Sequence, residues 1–565
     1  MNRAQSIVSL NIILSFFIPA FTQNHDYTEA LYKTIYFYGA NRCGDTKSWC
    51  HGACHTRDGE RDGIDLSGGW HDCGDHVKFG QTNCITAVNL LLGYNYFPSA
   101  YEDRYSQDYS APPPNGIPDI LDEVKIFTDY LLKACTGGKV YYQVGDKRDH
   151  NDVSEPVYAS ALDVNEGGEP RYAYSKTEGA SNFCGSAAAA LALMSMCYAK
   201  YSQSYADSCL AKAKEYYEIG DAKHESVPDY DQEFYNPPGD WEDDMAMGAL
   251  ELYRATQEDT YLNAAKNIYD GNYMCPTGWV LEWGNVSPLV AFELYNITND
   301  EGYQSDLRRE VEAYKKRMSW CGYPHFSGWG SLQYATATAL VGLYYNAISD
   351  DENAYTFGKD IIDFCLGTHD NLNGDAPKNF SFVTDYNELD GGSPQYPHHR
   401  AAFGKGDKAG TLWSQEANNP GSVPYEHKLV GALVGGPQEE CASYEDNIEN
   451  YYTNEVCIYY NAYIVPSLGC IKVKEGLTGM KQKTLSMNSP VKYIAPVSML
   501  SSQTYSIAPS IPSNAIISVY DLYGRKLGAF KAGYRKAVDF RRELKLSYGV
   551  VVVRVLLIDA DLSLR

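Results

Sequence analysis

From Tyr27 to Cys470, apolar residues recur at intervals of three and four, the period that gathers them on one face of a helix. Twelve segments carry the pattern: 27–43, 84–97, 117–135, 181–201, 205–223, 243–256, 259–270, 286–298, 302–321, 330–348, 353–368 and 455–469. In the third, Pro118 falls where its missing N–H costs nothing, and Asp119, Asp122 and Glu123 follow at the positive end of the helix dipole. In the fourth, the small residues from Gly185 to Ala190 suit close packing against neighbouring helices. Twelve helices with long irregular connections predict an all-α domain. Periodicity permits either six hairpins closed into a barrel or an open solenoid.

After Cys470 the pattern changes. Residues 471–505 are polar, rich in Lys and Ser and without period, and read as a linker. Ala515–Asp521 and Gly549–Val555 read as strands, with a turn at Tyr523-Gly524-Arg525, so a small β-sandwich is expected over 506–565. At the other end, an apolar run from Ile7 to Ala20 lies between Arg3 and polar Thr22-Gln23-Asn24. It is too short for a bilayer span, which needs ~20 residues, and reads as a signal peptide over 1–23. No other stretch is long and apolar enough, so no membrane span is expected.

Charge separates the same parts. Residues 471–565 hold 15 Lys and Arg against 6 Asp and Glu, whereas residues 1–470 hold 32 against 66. So acidic a body excludes nucleic acid and anionic membranes as its partners and suits a neutral substrate. Fifteen cysteines fit an oxidising compartment. The gaps between Cys43, Cys50, Cys54, Cys73 and Cys84 lack the paired Cys-x-x-Cys spacing of a structural zinc site. They read as disulfides pinning the surrounding loops, with connectivity open and, the total being odd, at least one thiol left over. Cys197 and Cys365, inside apolar helix patterns, read as packing residues.

Candidate chemistry lies in the long connections, 44–83, 136–180, 224–242, 369–402 and 403–454. Gly68-Gly69-Trp70-His71-Asp72-Cys73-Gly74-Asp75 sets two carboxylates three residues apart in a segment too broken for a helix. Alone it fits a metal loop or a solvated turn as well as a pair that holds and deprotonates one water. A second acidic cluster follows at Glu445, Asp446 and Glu455, with His398 and Arg400 between the two. Distant carboxylates among His, Arg and many aromatic residues point to glycoside hydrolysis, in which one carboxyl protonates the leaving oxygen and another activates water.

These residues also carry a resemblance. The run Asp65–Gly80 resembles the signature of glycoside hydrolase family 9, the inverting β-1,4-glucanases, and further matches follow in the family's order. They are Ile117–Glu123, Gln143–Asp146, Trp329–Leu332, Pro397–Arg400 and Tyr444–Ala462, together spanning about residues 27–470. The resemblance selects the (α/α)6 barrel over the solenoid and sets a catalytic domain at 24–470. It implies Asp75 as general base, Asp72 as its helper in holding the water, and Glu455 as general acid. The Glu455 carboxyl would be raised by burial or by carboxylates such as Asp446. His398 and Arg400 match the family's sugar-binding His-x-Arg, and His150 a further substrate-binding position; His399 could be structural. Tyr235, Trp241, Trp283 and Trp329 lie at or near positions that line the cleft, where a ring supplies a flat apolar face. No cofactor is implied. A structural calcium is possible in the acidic loop Gly239–Asp244, with Asp243 and Asp244 as ligands.

The chain departs from the family in two places. Cys457 stands where a small Ser, Thr or Ala is usual, and Asn387–Gly392 replaces an open Gly-x-Asn-Pro stretch. The expectation is a secreted or surface-displayed endo-β-1,4-glucanase, of Gram-negative origin if its tail is what it resembles. That tail is similar to C-terminal sorting domains of the type IX secretion route, with a carbohydrate-binding module as the alternative. Rivals for the body are an exo-acting or xyloglucan- or mixed-linkage-specific enzyme of the family, a non-catalytic glycan-binding protein, and a helical scaffold or adhesin.

Overall fold

The computed structural model describes residues 25–105, 114–152, 154–157, 159–160, 170–272, 274–276, 278–402 and 427–477, together with five short strands in the C-terminal part. The expected signal peptide, most of the expected linker and the turn at Tyr523–Arg525 lie outside the described residues. The chain divides into two compact units, Met1–Gln482 and Lys483–Arg565.

Among the described residues, twelve helices of ten residues or more build the first unit: α1 Tyr27–Tyr36, α2 Gly80–Tyr96, α3 Asp119–Ala134, α4 Ser181–Tyr198, α5 Gln203–Asp221, α6 Glu242–Thr256, α7 Asp259–Asn272, α8 Ser287–Thr298, α9 Glu301–Lys315, α10 Ser331–Ser349, α11 Glu352–Cys365 and α12 Ile458–Lys474. Burial sorts them. The even-numbered helices are buried nearly all round, α4 with its run Ala187–Ala190 being the extreme case, whereas α5, α7 and α9 bury a stripe. A helix apolar on every side must be surrounded, and one with a single stripe lies outside. The inner ring runs α2–α4–α6–α8–α10–α12 and closes where α12 packs on α2. Each outer helix packs on an inner neighbour, which gives the (α/α)6 barrel.

Three differences from the expected elements bear on the site. The first helix ends at Tyr36 and passes into a 3-10 turn at Phe37–Asn41. The last begins at Ile458, leaving Glu455 extended (φ −62°, ψ 145°), and continues to Lys474, past the expected start of the linker. The third change is a small antiparallel sheet that helical periodicity does not reveal. Its strands β1 Lys78–Phe79, β2 Cys135–Thr136, β3 Lys139–Val144 and β4 Ala173–Lys176 pair in the order β1-β3-β2, with β4 also on β3. Lys78 faces Val144 and Phe79 faces Gln143, so the stretch just after Asp75 lies beside the stretch leading to His150.

Buried polar pairs tie this end of the barrel together. Arg42 grips Glu123 through two hydrogen bonds of 3.1 and 2.6 Å, both side chains fully buried. Asp58 receives Lys78 at 2.7 Å and Arg171 at 2.5 Å. Removing one member of such a group would strand a buried charge, at a cost of about 3–5 kcal/mol. No described helix is long and apolar enough to cross a membrane.

In the second unit, β5 Tyr505–Ser506 pairs with β8 Ala537–Val538, while β6 Ile516–Tyr520 lies between β7 Lys526–Lys531 and β9 Val552–Leu556, all antiparallel. Two of these strands, β6 and β9, overlap the expected ones, whereas β5, β7 and β8 correspond to none.

Candidate active site

The Asp-x-x-Asp loop is shaped by its backbone. Asp72 N–H donates to Val77 O at 3.1 Å and closes the turn, while Asp72 O accepts from Ile458 N at 3.0 Å and Gly74 O from Arg400 N at 3.0 Å. The loop is thus laid against the start of α12 on one side and the His398–Arg400 segment on the other. Gly74 is required there: a Cβ would come within 2.6 Å of His398 O and His399 Cα. Glu455 sits in an extended strip, beside His398 through a parallel bridge, and its carbonyl accepts from the Gly435 N–H at 3.0 Å.

Two carboxylates three residues apart have different surroundings. Asp72 is fully buried and accepts hydroxyl hydrogen bonds from Thr82 and Tyr235. Burial, then the charge of Asp75, pushes its carboxyl well above the usual range. Asp75 is slightly exposed and accepts from Val77 N at 2.6 Å, with His150 Nε2 4.0 Å from its other oxygen. Asp72 is committed to protein donors, and Asp75 is the less buried of the two.

Glu455 is half-buried, and its Oε2 accepts the Trp329 indole N–H at 2.8 Å. Burial raises its carboxyl to about 7, with Asp75 adding to the rise and Trp329 and Arg400 opposing it. It therefore holds a proton that it can give up near neutral pH. One oxygen each of Asp75 and Glu455 lies within 4.8 Å of the same Cys73 sulfur, so the two are held within twice that span. An inverting pair needs about 6.5–9.5 Å, which fits under this ceiling.

His398, Arg400 and His150 converge on the same place. His398 Nδ1 hydrogen-bonds Ile448 O, and burial together with the Arg400 charge holds its pKa down to about 3, leaving a neutral ring. Arg400 donates to His150 O at 2.8 Å and Asp152 O at 3.3 Å. A capping box built by Asp146 and Asp149 starts the single turn Lys147–Asn151 that presents His150, whose ring stacks on Phe234 at 4.0 Å. His399 is buried and bonded to Asn41 and the Ala401 N–H, a structural residue.

Aromatic rings wall the cleft. Tyr235 packs edge-on to Trp283 at 4.9 Å and to Phe79 at 4.9 Å. Trp329, 45 % exposed, lies beside Tyr451 and Tyr452 at 5.1 and 5.2 Å. Trp241 instead stacks on His224 at 4.2 Å.

Three expectations require correction. Asp446 works on the scaffold: its carboxylate accepts from Gln395 N, Tyr396 N and Asn454 Nδ2, which fixes the loop before His398, and the charge that raises Glu455 is that of Asp75. The carboxylates of Asp243 and Asp244 are engaged by protein donors. Asp243 receives the Val286 N–H at 2.6 Å and Asp244 the Ser186 hydroxyl, and hydrogen-bond donors aimed at a carboxylate occupy the place of a cation. Neither belongs to a cluster of metal-donor side chains among the described residues.

The early cysteines are the third correction. Only Cys73 is oxidised, with Cys457 across 384 residues, and a second bridge joins Cys321 to Cys441. Cys43, Cys50, Cys54 and Cys84 are buried thiols, as are Cys197 and Cys365. The donor atoms of Cys43, Cys54, His55 and His71 lie within 4.8 Å of one another, and neither ring nitrogen of His55 has a hydrogen-bond partner. Two thiols and two imidazoles in one buried cluster are the donor set of a structural zinc. The fold gathers these four donor side chains from 29 residues of loop, a candidate group that paired spacing does not reveal.

A carboxylic acid protonated up to neutrality, a second carboxylate across from it and a cleft walled by Trp and Tyr define a glycoside hydrolase. Comparison with known proteins narrows the class. The family model for Glycosyl hydrolase family 9 matches residues 27–468, and the chain belongs to that family. It is 31% identical over 464 residues to Endoglucanase A of Bacillus pumilus, covering 78% of this chain and 65% of that one. It is 30% identical to Endoglucanase 4 of a Bacillus species, covering 78% and 68%. The chain thus spans about two thirds of the length of these relatives. Among solved structures, the cellulase Cel9M of C. cellulolyticum in complex with cellobiose superposes with a TM-score of 0.68 at 30% identity, over 80% of this chain and 99% of that one. An endoglucanase of the termite Nasutitermes takasagoensis does so with a TM-score of 0.67 at 28% identity, over the same shares.

Proposed function

We propose that this protein cuts internal β-1,4-glucosidic bonds of cellulose and related β-glucans by single displacement with inversion. Glu455 protonates the glycosidic oxygen while Asp75 takes a proton from water on the opposite face of the sugar. Asp72, held by Thr82 and Tyr235, keeps Asp75 and that water in place. Arg400, His398 and His150 bind hydroxyls beside the cleavage point, and Tyr235, Trp283 and Trp329 supply apolar faces for successive rings. The observation that carries this reading is Glu455, raised to about 7, hydrogen-bonded by an exposed tryptophan and held, like Asp75, within 4.8 Å of the Cys73 sulfur. Endo action follows the endoglucanase names of the relatives. Hydrolysis of this kind needs no cofactor.

In the same reading, residues 1–23 direct export, 24–470 form the catalytic domain, and 506–565, past a linker at 471–505, sort the protein or attach it to a cell surface. The decisive experiment measures the viscosity of soluble carboxymethyl cellulose with wild type, Glu455→Gln and Asp75→Asn. A rapid fall with wild type and none with either folded variant supports the proposal. No fall with folded wild type refutes cellulose-type substrates. An initial β-anomer in NMR of fresh products refutes inversion.

A further inference from the structure

Cys73 stands between Asp72 and Asp75, and Cys457 two residues after Glu455, so the bridge joining them fastens the base loop directly to the acid segment. It is embedded with Tyr459 and Tyr460 in a small aromatic cluster of its own, against which Tyr235 and Trp283 pack, apart from the main core. The Cys73 sulfur lies within 4.8 Å of an oxygen of each of Asp72, Asp75 and Glu455. Eleven other cysteines are thiols, so oxidation marks particular places rather than every cysteine of the chain. Beside the bridge, the Ile458 N–H donates to Asp72 O, and the Tyr235 hydroxyl spans from the Asp72 carboxylate to the Tyr459 hydroxyl.

We propose that Cys73 and Cys457 are positioning residues for hydrolysis, and that their disulfide is a reversible clasp setting the distance between Asp75 and Glu455. The inference rests on the two-carboxylate reading above. Misplacing a reacting group by about 1 Å costs on the order of 10²-fold in rate, and the bridge is the covalent tie between the two segments, beside non-covalent packing and hydrogen bonds. The clasp opens by exchange with a dithiol. One thiolate of the reductant attacks the sulfur of Cys73, the less buried of the two residues (5% exposed, against 0% for Cys457). A mixed disulfide forms and Cys457 leaves as a thiolate. The second thiol of the reductant then closes its own ring and releases Cys73. Two electrons and two protons pass to the cysteines, and the reductant ends as a cyclic disulfide.

The test compares wild type, Cys73→Ala/Cys457→Ala and the control Cys321→Ser/Cys441→Ser on a soluble cello-oligosaccharide, before and after dithiothreitol. Expected are a fall of tenfold or more in kcat for the first variant with KM within about twofold, because the subsites remain. The alkaline limb of its kcat/KM profile should move to lower pH, since Asp75 raises Glu455 less once it draws away. Dithiothreitol should bring wild type and the control to the same low kcat, restored by reoxidation, and leave the Cys73→Ala/Cys457→Ala variant unchanged. A variant with full kcat, an unmoved pH limb and a lower melting temperature would overturn the proposal and leave a structural staple. If that variant does not fold, the dithiothreitol arm decides: reduction of the bridge, verified by alkylation of Cys73 in folded wild type, without loss of kcat overturns it. Wild type inactive under every condition would instead refute the hydrolytic reading itself.

Discussion

Replacing Glu455 by Gln removes a titrating group while keeping its shape and an oxygen for the Trp329 N–H. Burial moves this carboxyl from 4.5 to about 7. Between those values the native chain binds more protons here than the unfolded chain does, so wild-type stability declines as pH rises from 4.5 to about 7. The full displacement corresponds to about 3.4 kcal/mol at 1.36 kcal/mol per pH unit, and partial exposure to solvent reduces it to about 2 kcal/mol. The Gln variant should therefore match wild type near pH 4, below both values, and exceed it by about 2 kcal/mol near pH 8. Urea unfolding followed by tryptophan fluorescence at a series of pH values measures the difference. The same variant should lose about 10²–10⁴-fold in kcat on cellulosic substrate. A stability difference that is flat with pH would mean that Glu455 titrates as an ordinary glutamate, and its role as an acid at neutral pH would fall with it.

Trp329→Phe keeps an aromatic face but removes a donor that favours ionised Glu455, so the alkaline limb of kcat/KM should move to higher pH; an unmoved limb would deny the coupling. Gly74→Ala meets backbone atoms 2.6 Å away and should destabilise the fold by about 1–3 kcal/mol while lowering kcat, read by thermal melts and initial rates. Metal analysis of the purified protein should find one zinc per chain, absent in Cys54→Ser, with a lower melting temperature in that variant; added calcium should change neither protein's melting.

Helix existence was legible because burial on one face or all faces leaves a period in the chain, and each of the twelve segments became a helix, whereas closure into a ring was implied by the family resemblance. What periodicity could not show is where a helix yields to other demands. Glu455 looks like the first residue of the last helix, yet its backbone pairs with His398 and stays extended. Motifs singled out Asp75, Glu455 and Arg400, and the structure brings the three near one another. The bridge beside them was not legible, although both cysteines adjoin the carboxylate motifs, because connectivity depends on which loops the fold brings together. Likewise Asp243 and Asp244 look like cation ligands until Val286 and Ser186 are seen to donate to them. The indole bond of Trp329 to Glu455 spans 126 residues, and nothing local announces it.

Ring closure by α12 on α2 has a consequence in time. A ribosome reaches Asp75 early and Glu455 only near the end of the barrel, and the helix that completes the ring begins three residues after the acid. Contacts between segments so distant in the chain form late. A nascent or prematurely terminated chain therefore holds the base, the sugar-binding loops and most of the helices but no competent site. Activity and a closed barrel arrive together, in the last stretch of synthesis, so the finished fold is itself the checkpoint for function.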